Sequence, residues 1–206
     1  MSDITFESDE YSTAEVIYKK IANDTHTATE SFKKCILKMV DNNYIDGVAA
    51  QNMISFLSAM SDVLRATFKE QISLEATLCN DYVKCIIYAD KNGKSNTAIK
   101  GVRDATFTKA HRAVGAKGQI KLNKGDVDQS LSNLKAGPIA DISNCISSAK
   151  NIYFNHSSGP VKEQNMSVKD NTIVSLEALL DIFNVFIDCI EGITTVMENA
   201  DACLVM

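Results

Sequence analysis

Ala14 to Met39 reads AEVIYKKIANDTHTATESFKKCILKM. Within it Ala14, Tyr18, Ile21, Thr25, Ala28, Phe32, Cys35 and Met39 follow one another at spacings of four and three. Side chains spaced in this way share one face of an α-helix. The stretch therefore predicts a single long helix with one buried seam, over Tyr11 to Asn42. Ser12 or Thr13, followed by Glu15, is its expected N-terminal cap with early negative charge. Asp41-Asn42-Asn43 is a polar, turn-prone stop.

A second stripe begins just after Gly47. Met53, Leu57, Met60, Leu64, Phe68 and Ile72 repeat the spacing, and Leu78, Tyr82 and Ile86 extend it to about Asp90. Such a helix would span about 66 Å at 1.5 Å per residue. A rod of that length needs a neighbour along its side, because isolated helices are marginal in water. The short turn near 43–47 makes the first two helices antiparallel.

Lys91 to Gly125 breaks the pattern. It holds nine Lys and Arg against one acid, Asp104, a net +8 in a chain whose total is −5. It reads as a basic linker or insertion. Such charge attracts phosphate. With Phe107 as its lone aromatic and no recognised motif, no specific nucleic-acid site is expected. Periodicity returns at Asp126 with Val127, Leu131, Leu134, Ile139, Ile142, Ile146, Ala149 and Tyr153. Gly137-Pro138 should kink this helix or restart it, because the proline ring clashes with the preceding turn. His156-Ser157-Ser158-Gly159-Pro160 signals a loop, so a turn is expected near 156–168. The last helix, with Asp170 or Asn171 as its cap, carries the strongest stripe. It runs through Ile173, Leu176, Leu180, Phe183, Ile187, Ile190, Ile193 or Thr194, and Met197.

The fold class expected is all-α. Two long antiparallel helical hairpins, 1–90 and 126–206, flank the basic stretch 91–125 and form an elongated four-helix arrangement. Composition agrees: 206 residues, 45% apolar, 7% aromatic, 2 Pro, 9 Gly and no Trp favour long helices over many strands. A shift of 111 residues aligns Ile86 with Met197 and Asp90 with Asp201, a hint of internal duplication.

Two short features carry a resemblance. Asn43-Tyr44-Ile45-Asp46-Gly47-Val48-Ala49-Ala50-Gln51, at the first hairpin tip, resembles the turn of the WXG and LXG families. These are small helical-hairpin substrates, and N-terminal targeting domains of larger toxins, exported by type VII secretion in Gram-positive bacteria. Ile45 and Gly47 match L-x-G, with Ile for Leu; W-x-G is absent. The second half resembles the short partner proteins encoded with LXG toxins, whose last helix ends in F-x-x-x-D. Here Met197 replaces the aromatic and Asp201 keeps the acid. The resemblance covers roughly residues 10–90 and 126–201. It implies a WXG-like fold and a non-enzymatic substrate or adaptor that pairs with a helical partner, an LXG-type toxin or a small partner protein, and with the secretion machinery. Met197 and Asp201 would form the export or partner signal, with Ile86 and Asp90 as a weaker candidate.

Other functions find less in the chain. No nucleophile elbow, phosphate loop or H-E-x-x-H occurs, so no enzyme is expected. His26, His111 and His156 lack a Glu three residues before them, and the cysteines form no C-x-x-C. Neither a metal nor a cofactor is expected. Cys35, Cys79, Cys145 and Cys189 lie near stripe positions and read as small buried hydrophobes in a reducing compartment. No apolar run is long enough to span a membrane. The acidic start, Met1 to Glu7, argues against a classical signal peptide. The resemblance implies a chain that is cytoplasmic before export and secreted afterwards. Cys203-Leu204-Val205-Met206 has the form of a prenylation box, which makes Cys203 a lipidation candidate. Its acidic neighbours Glu198 and Asp201 would be repelled by an anionic leaflet. A prenylated or otherwise structural coiled-coil assembly protein is the alternative, and under either reading a homo- or hetero-oligomer fits the seams.

Overall fold

The computed structural model of the chain describes residues 5–64 and 122–204. All regular structure among them is helical, apart from one isolated antiparallel bridge between Ile45 and Leu122. In chain order come α1 (Ser8–Asp41), α2 (Val48–Leu64), α3 (Lys124–Leu134), a π-helical turn (Lys135–Ile139), α4 (Ala140–Lys150) and α5 (Pro160–Leu204). The described residues are all-α, as the periodicity predicts. The expected continuation of the second helix to Asp90, with Ile86, lies outside the described residues, as does the basic stretch up to residue 121.

The α1 seam is buried as spaced. Ala14, Tyr18, Ile21, Ala28, Phe32 and Met39 are buried, and Ile36 joins them. Both halves of the chain contribute to one continuous core. Phe32 of α1 stacks on Phe183 of α5 at 4.0 Å between ring centroids. Phe186 meets Phe32 edge-on at 5.7 Å and Phe56 of α2 at 4.8 Å. A second cluster, Tyr11, Ala14, Tyr18, Ile152 and Phe154, closes the end where α1 begins.

Register follows from a few paired groups. The Cys35 thiol donates to the Ser130 carbonyl at 3.5 Å, and the Cys145 thiol to the Ile21 carbonyl at 4.0 Å. Residue numbers rise on one side as they fall on the other, so α1 and the α3–α4 rod run in opposite directions. Ion pairs show the same relation between that rod and α5: Lys124–Glu198 at 2.6 Å, Lys135–Glu191 at 2.7 Å and Lys150–Glu177 at 3.2 Å. Each pair is half exposed and adds little stability alone. Together they mark which turn of α5 faces which turn of the rod.

Gly137-Pro138 neither stops the rod nor restarts it. The chain widens into a π-helical turn over Lys135–Ile139, with Pro138 buried inside it. Proline has no N–H to donate and its ring presses on the carbonyl four residues back. A wider turn relieves that contact and lets the helix resume, a known cause of local bending.

Three boundaries and several seam positions differ from expectation: Cys35, Ile173 and Leu180 are half-buried, and Leu179 and Phe186 are buried beside the predicted stripe. Helix α1 starts at Ser8, before the predicted Ser12 or Thr13 cap; Glu7 is its N-cap and makes no side-chain capping bond. Its extra turn is held by the neighbouring loop instead, as described below. The rod starts at Lys124 rather than Asp126, after Asn123, whose side-chain amide donates to the Asp126 carboxylate. Helix α5 starts at Pro160, ten residues before the expected cap, so residues 160–168 are helical rather than part of a turn. Proline suits the first helical position, and Gly159 before it takes a positive φ of 97°. The opening turns of α5 hid from the apolar pattern because they bury polar groups with partners. Asn165 donates to the Val161 carbonyl at 2.8 Å, and Lys169 to the Ile152 carbonyl at 2.9 Å. Tyr153 lies beyond the end of α4, exposed beneath the Lys169 ammonium at 5.0 Å, while Ile152 and Phe154 are buried in its place. Cys189 is exposed, not buried, because it faces away from the α5 seam.

Candidate partner-binding end

The tip between α1 and α2 is built from backbone strain and one apolar plug. Asn43 has a φ of 58° and Gly47 a φ of 83°. Left-handed angles suit Gly and are tolerated by Asn, whose short amide bonds locally. The Tyr44 N–H donates to the Met39 carbonyl at 2.9 Å, which closes the last turn of α1. Asp46 accepts the Gly47 N–H at 2.8 Å, and the Gly47 carbonyl accepts the Gln51 N–H at 3.2 Å, which opens α2. Ile45 is fully buried, and it covers the end of the core.

This tip touches the second half of the chain. The Asn123 N–H donates to the Tyr44 carbonyl at 2.7 Å, beside the Ile45–Leu122 bridge. One residue on, Lys124 pairs with Glu198 of α5 at 2.6 Å. The Ile45–Gly47 turn and the last turns of α5, which are 150 residues apart in the chain, thus share one end of the fold. Met197 is half-buried there. Val48 and Val196 are largely exposed at the same end. Asp201 and Cys203 lie on α5, with side chains outside the described residues; Ile86 and Asp90 lie outside them altogether. Sequence reading missed the Tyr44–Asn123 seam. Its signal was faint: two backbone segments with no shared side-chain pattern.

At the other end, Glu10 is a clasp that the sequence did not announce. Its carboxylate accepts the His156 N–H at 2.8 Å, the Ser157 hydroxyl at 2.7 Å and the His156 Nδ1 at 3.1 Å. The Glu7 N–H donates to the Ser157 hydroxyl oxygen, and the Thr5 N–H to that of Ser158. Burial pushes the Glu10 carboxyl up, but hydrogen bonds from the His156 backbone, Ser157, the His156 ring and the Asn155 backbone outweigh it and hold it below its ordinary 4.5. A value depressed in the folded state means that the unfolded chain takes up the proton more readily. The stabilisation is present above the ordinary value and is lost as pH falls through the folded one. Glu10→Gln is expected to lower the unfolding free energy by about 1–3 kcal/mol at neutral pH, the worth of hydrogen bonds to a charged acceptor. Wild type and variant should converge on acidification. Urea midpoints near pH 7 and near pH 3 check this, and an equal gap at both would contradict it.

Reactive chemistry is sparse among the described residues. Burial pushes the Cys145 thiol up to about 11 and raises Cys35 as well, so both stay protonated near neutrality. A polar groove of about 550 Å³ between α1 and α4 is lined by Lys20, Asp24, Asp141, Asn144 and Ser147, among others. Ser147 donates its hydroxyl proton to the Ser143 carbonyl at 3.0 Å. Among the described residues no three His, Cys, Asp or Glu side chains gather as a metal site, and no helix is long and apolar enough to cross a membrane.

In comparisons with protein-family models, curated proteins and solved structures, nothing matches this chain.

Proposed function

We propose that this chain is a non-enzymatic helical substrate or adaptor of a type VII secretion system, built as two antiparallel hairpins in an elongated, WXG-like four-helix arrangement. It pairs helix on helix with a partner protein or toxin, which completes a bundle. It resides in the cytoplasm before export and outside the cell after it. Met197 and Asp201 stand four residues apart on one helix, so they present an apolar contact and a charge on one face. Ile86 and Asp90 would repeat that pair in the first half.

The observation that carries this reading is the convergence at one end of the fold. The Ile45–Gly47 turn and the last turns of α5 carry the two motifs of the resemblance. They are linked through Tyr44–Asn123 and Lys124–Glu198. A machine that reads a composite signal on a folded substrate needs such proximity.

The test is export from a type VII-competent host that also expresses the co-encoded neighbours. Wild type is expected in the culture supernatant and in complex with one helical neighbour. Met197→Ser combined with Asp201→Ala should abolish secretion while the cytoplasmic level and the helical circular-dichroism signal stay unchanged. Undiminished secretion of the double variant would remove the signal assignment. A stable monomer that binds no neighbour and stays in the cell would remove the whole reading.

A further inference from the structure

Helix α5 has a second, outward line of residues. Val174, Val185 and Val196 are 63%, 57% and 68% exposed. They stand eleven residues apart, close to three full turns, so they fall on one line along the helix. Ala178, Cys189 and Gly192 sit exposed between them. The order 174, 178, 181, 185, 189, 192, 196 repeats spacings of four and three, the period of a helix-packing seam. Gly192 is the telling residue. A side chain added there would meet nothing within 4 Å, so packing inside the protein does not require glycine. Glycine inside a helix nonetheless costs about 1 kcal/mol relative to alanine. Close approach of a second backbone would account for it.

Charge says what kind of helix fits. From Asp170 to Met206 the chain has seven carboxylates, counting Asp170 and Asp201, and no Lys or Arg. Glu177, Glu191 and Glu198 are engaged by Lys150, Lys135 and Lys124 of the rod, and Asp188 shares the field of Lys135. Asp181, which interrupts the apolar line itself, and Asp170, one turn before Val174, are exposed on the outward side. Two copies of this face would set acid against acid. We propose that the outward face of α5, Val174 to Val196, docks a helix of a partner protein whose seam is small and apolar and whose flanks carry Lys or Arg. This deepens the adaptor reading and rests on it, since it names the surface and the chemistry of the partner. The contact would run about 33 Å at 1.5 Å per residue. Val185 lies at its middle, where desolvated contacts carry most binding energy, with Cys189 one turn on and Gly192 two.

The probe is a synthetic helical peptide with Ala and Val at seam positions and Lys on the flanks, matched with a peptide of the same seam and Glu flanks. Fluorescence anisotropy with the full chain should register the Lys peptide and not the Glu peptide. Binding should weaken as salt screens the charges. Val185→Asp and Gly192→Leu should each weaken binding by at least about tenfold, or 1.4 kcal/mol. Both positions are exposed, so neither variant should lower the thermal unfolding midpoint, and Gly192→Leu should raise it slightly by removing a helical glycine. Cys189 should alkylate more slowly when the Lys peptide is bound. Equal binding of the two peptides, or full binding by both variants, would overturn the proposal. So would a dimer of the chain that Gly192→Leu converts to monomer, which would make a second copy the occupant. Export read in parallel separates the two ideas: loss of peptide binding by a variant that is still exported counts against the face alone.

Discussion

Phe183→Ala is expected to lower the unfolding free energy by about 3–5 kcal/mol, the range for deleting a buried aromatic ring. The ring is fully buried and lies face to face with Phe32, their planes 13° apart. Stacked rings contribute about 0.5–1.5 kcal/mol beyond their buried area. The two rings come from different helices, and Phe186 ties the same place to Phe56 of α2. A void here cannot close without moving three helices, so the cavity contribution should stay near its upper range. Urea unfolding followed by circular dichroism measures it, with the denaturant slope unchanged. Phe183→Leu should lose less, because it keeps most of the volume. A loss under about 1 kcal/mol for the alanine variant would mean that the helices close over the gap, and that this stack does not organise the core.

Ile45→Ala is expected to cost about 2–5 kcal/mol, and Ile45→Val only about 0.5–1.5. Ile45 is fully buried at the tip, between two positive-φ residues that hold the chain in its reversal. The consequence extends beyond the first half. The next residue back, Tyr44, accepts the Asn123 N–H at 2.7 Å. Loss of the plug should loosen that seam, so hydrogen exchange at the Asn123 amide should speed up more than at core amides of α1. If the Asn123 amide kept its protection while global stability fell, the tip and the start of α3 would be held together by something other than Ile45.

Several elements were legible because a local rule wrote them. Spacings of four and three marked α1 and the main seam of α5, and most of the buried residues fall where that period puts them, although Leu179 and Phe186 are buried beside it while Leu180 is half-buried. Gly47 was legible as a turn because few other residues take its φ of 83°. Pro138 was legible as a disturbance, but not as a π-helical turn. Whether a proline breaks a helix or widens it depends on whether the helix has packed neighbours on both sides, as this rod has in α1 and α5. The start of α5 at Pro160 was missed because Asn165 and Lys169 are buried with backbone partners, which apolar patterning cannot register. Nothing local in the sequence marks Glu10 as a clasp. Its three donors come from residues about 146 positions away.

The sequence by itself determined that the described chain is helical and which face of α1 and of most of α5 turns inward, because hydrophobic periodicity is a local property of each segment. Only the tertiary structure decided which helices meet and in what register. It brought the Ile45–Gly47 turn to the last turns of α5, bound α1 to the 155–158 loop through Glu10, and left Val174, Val185 and Val196 facing outward. Those outcomes depend on contacts between residues far apart in the chain, and a repeating spacing of four and three fits many partners equally well. Volume at Phe32–Phe183, two glycines with positive φ and a few charged pairs selected among them.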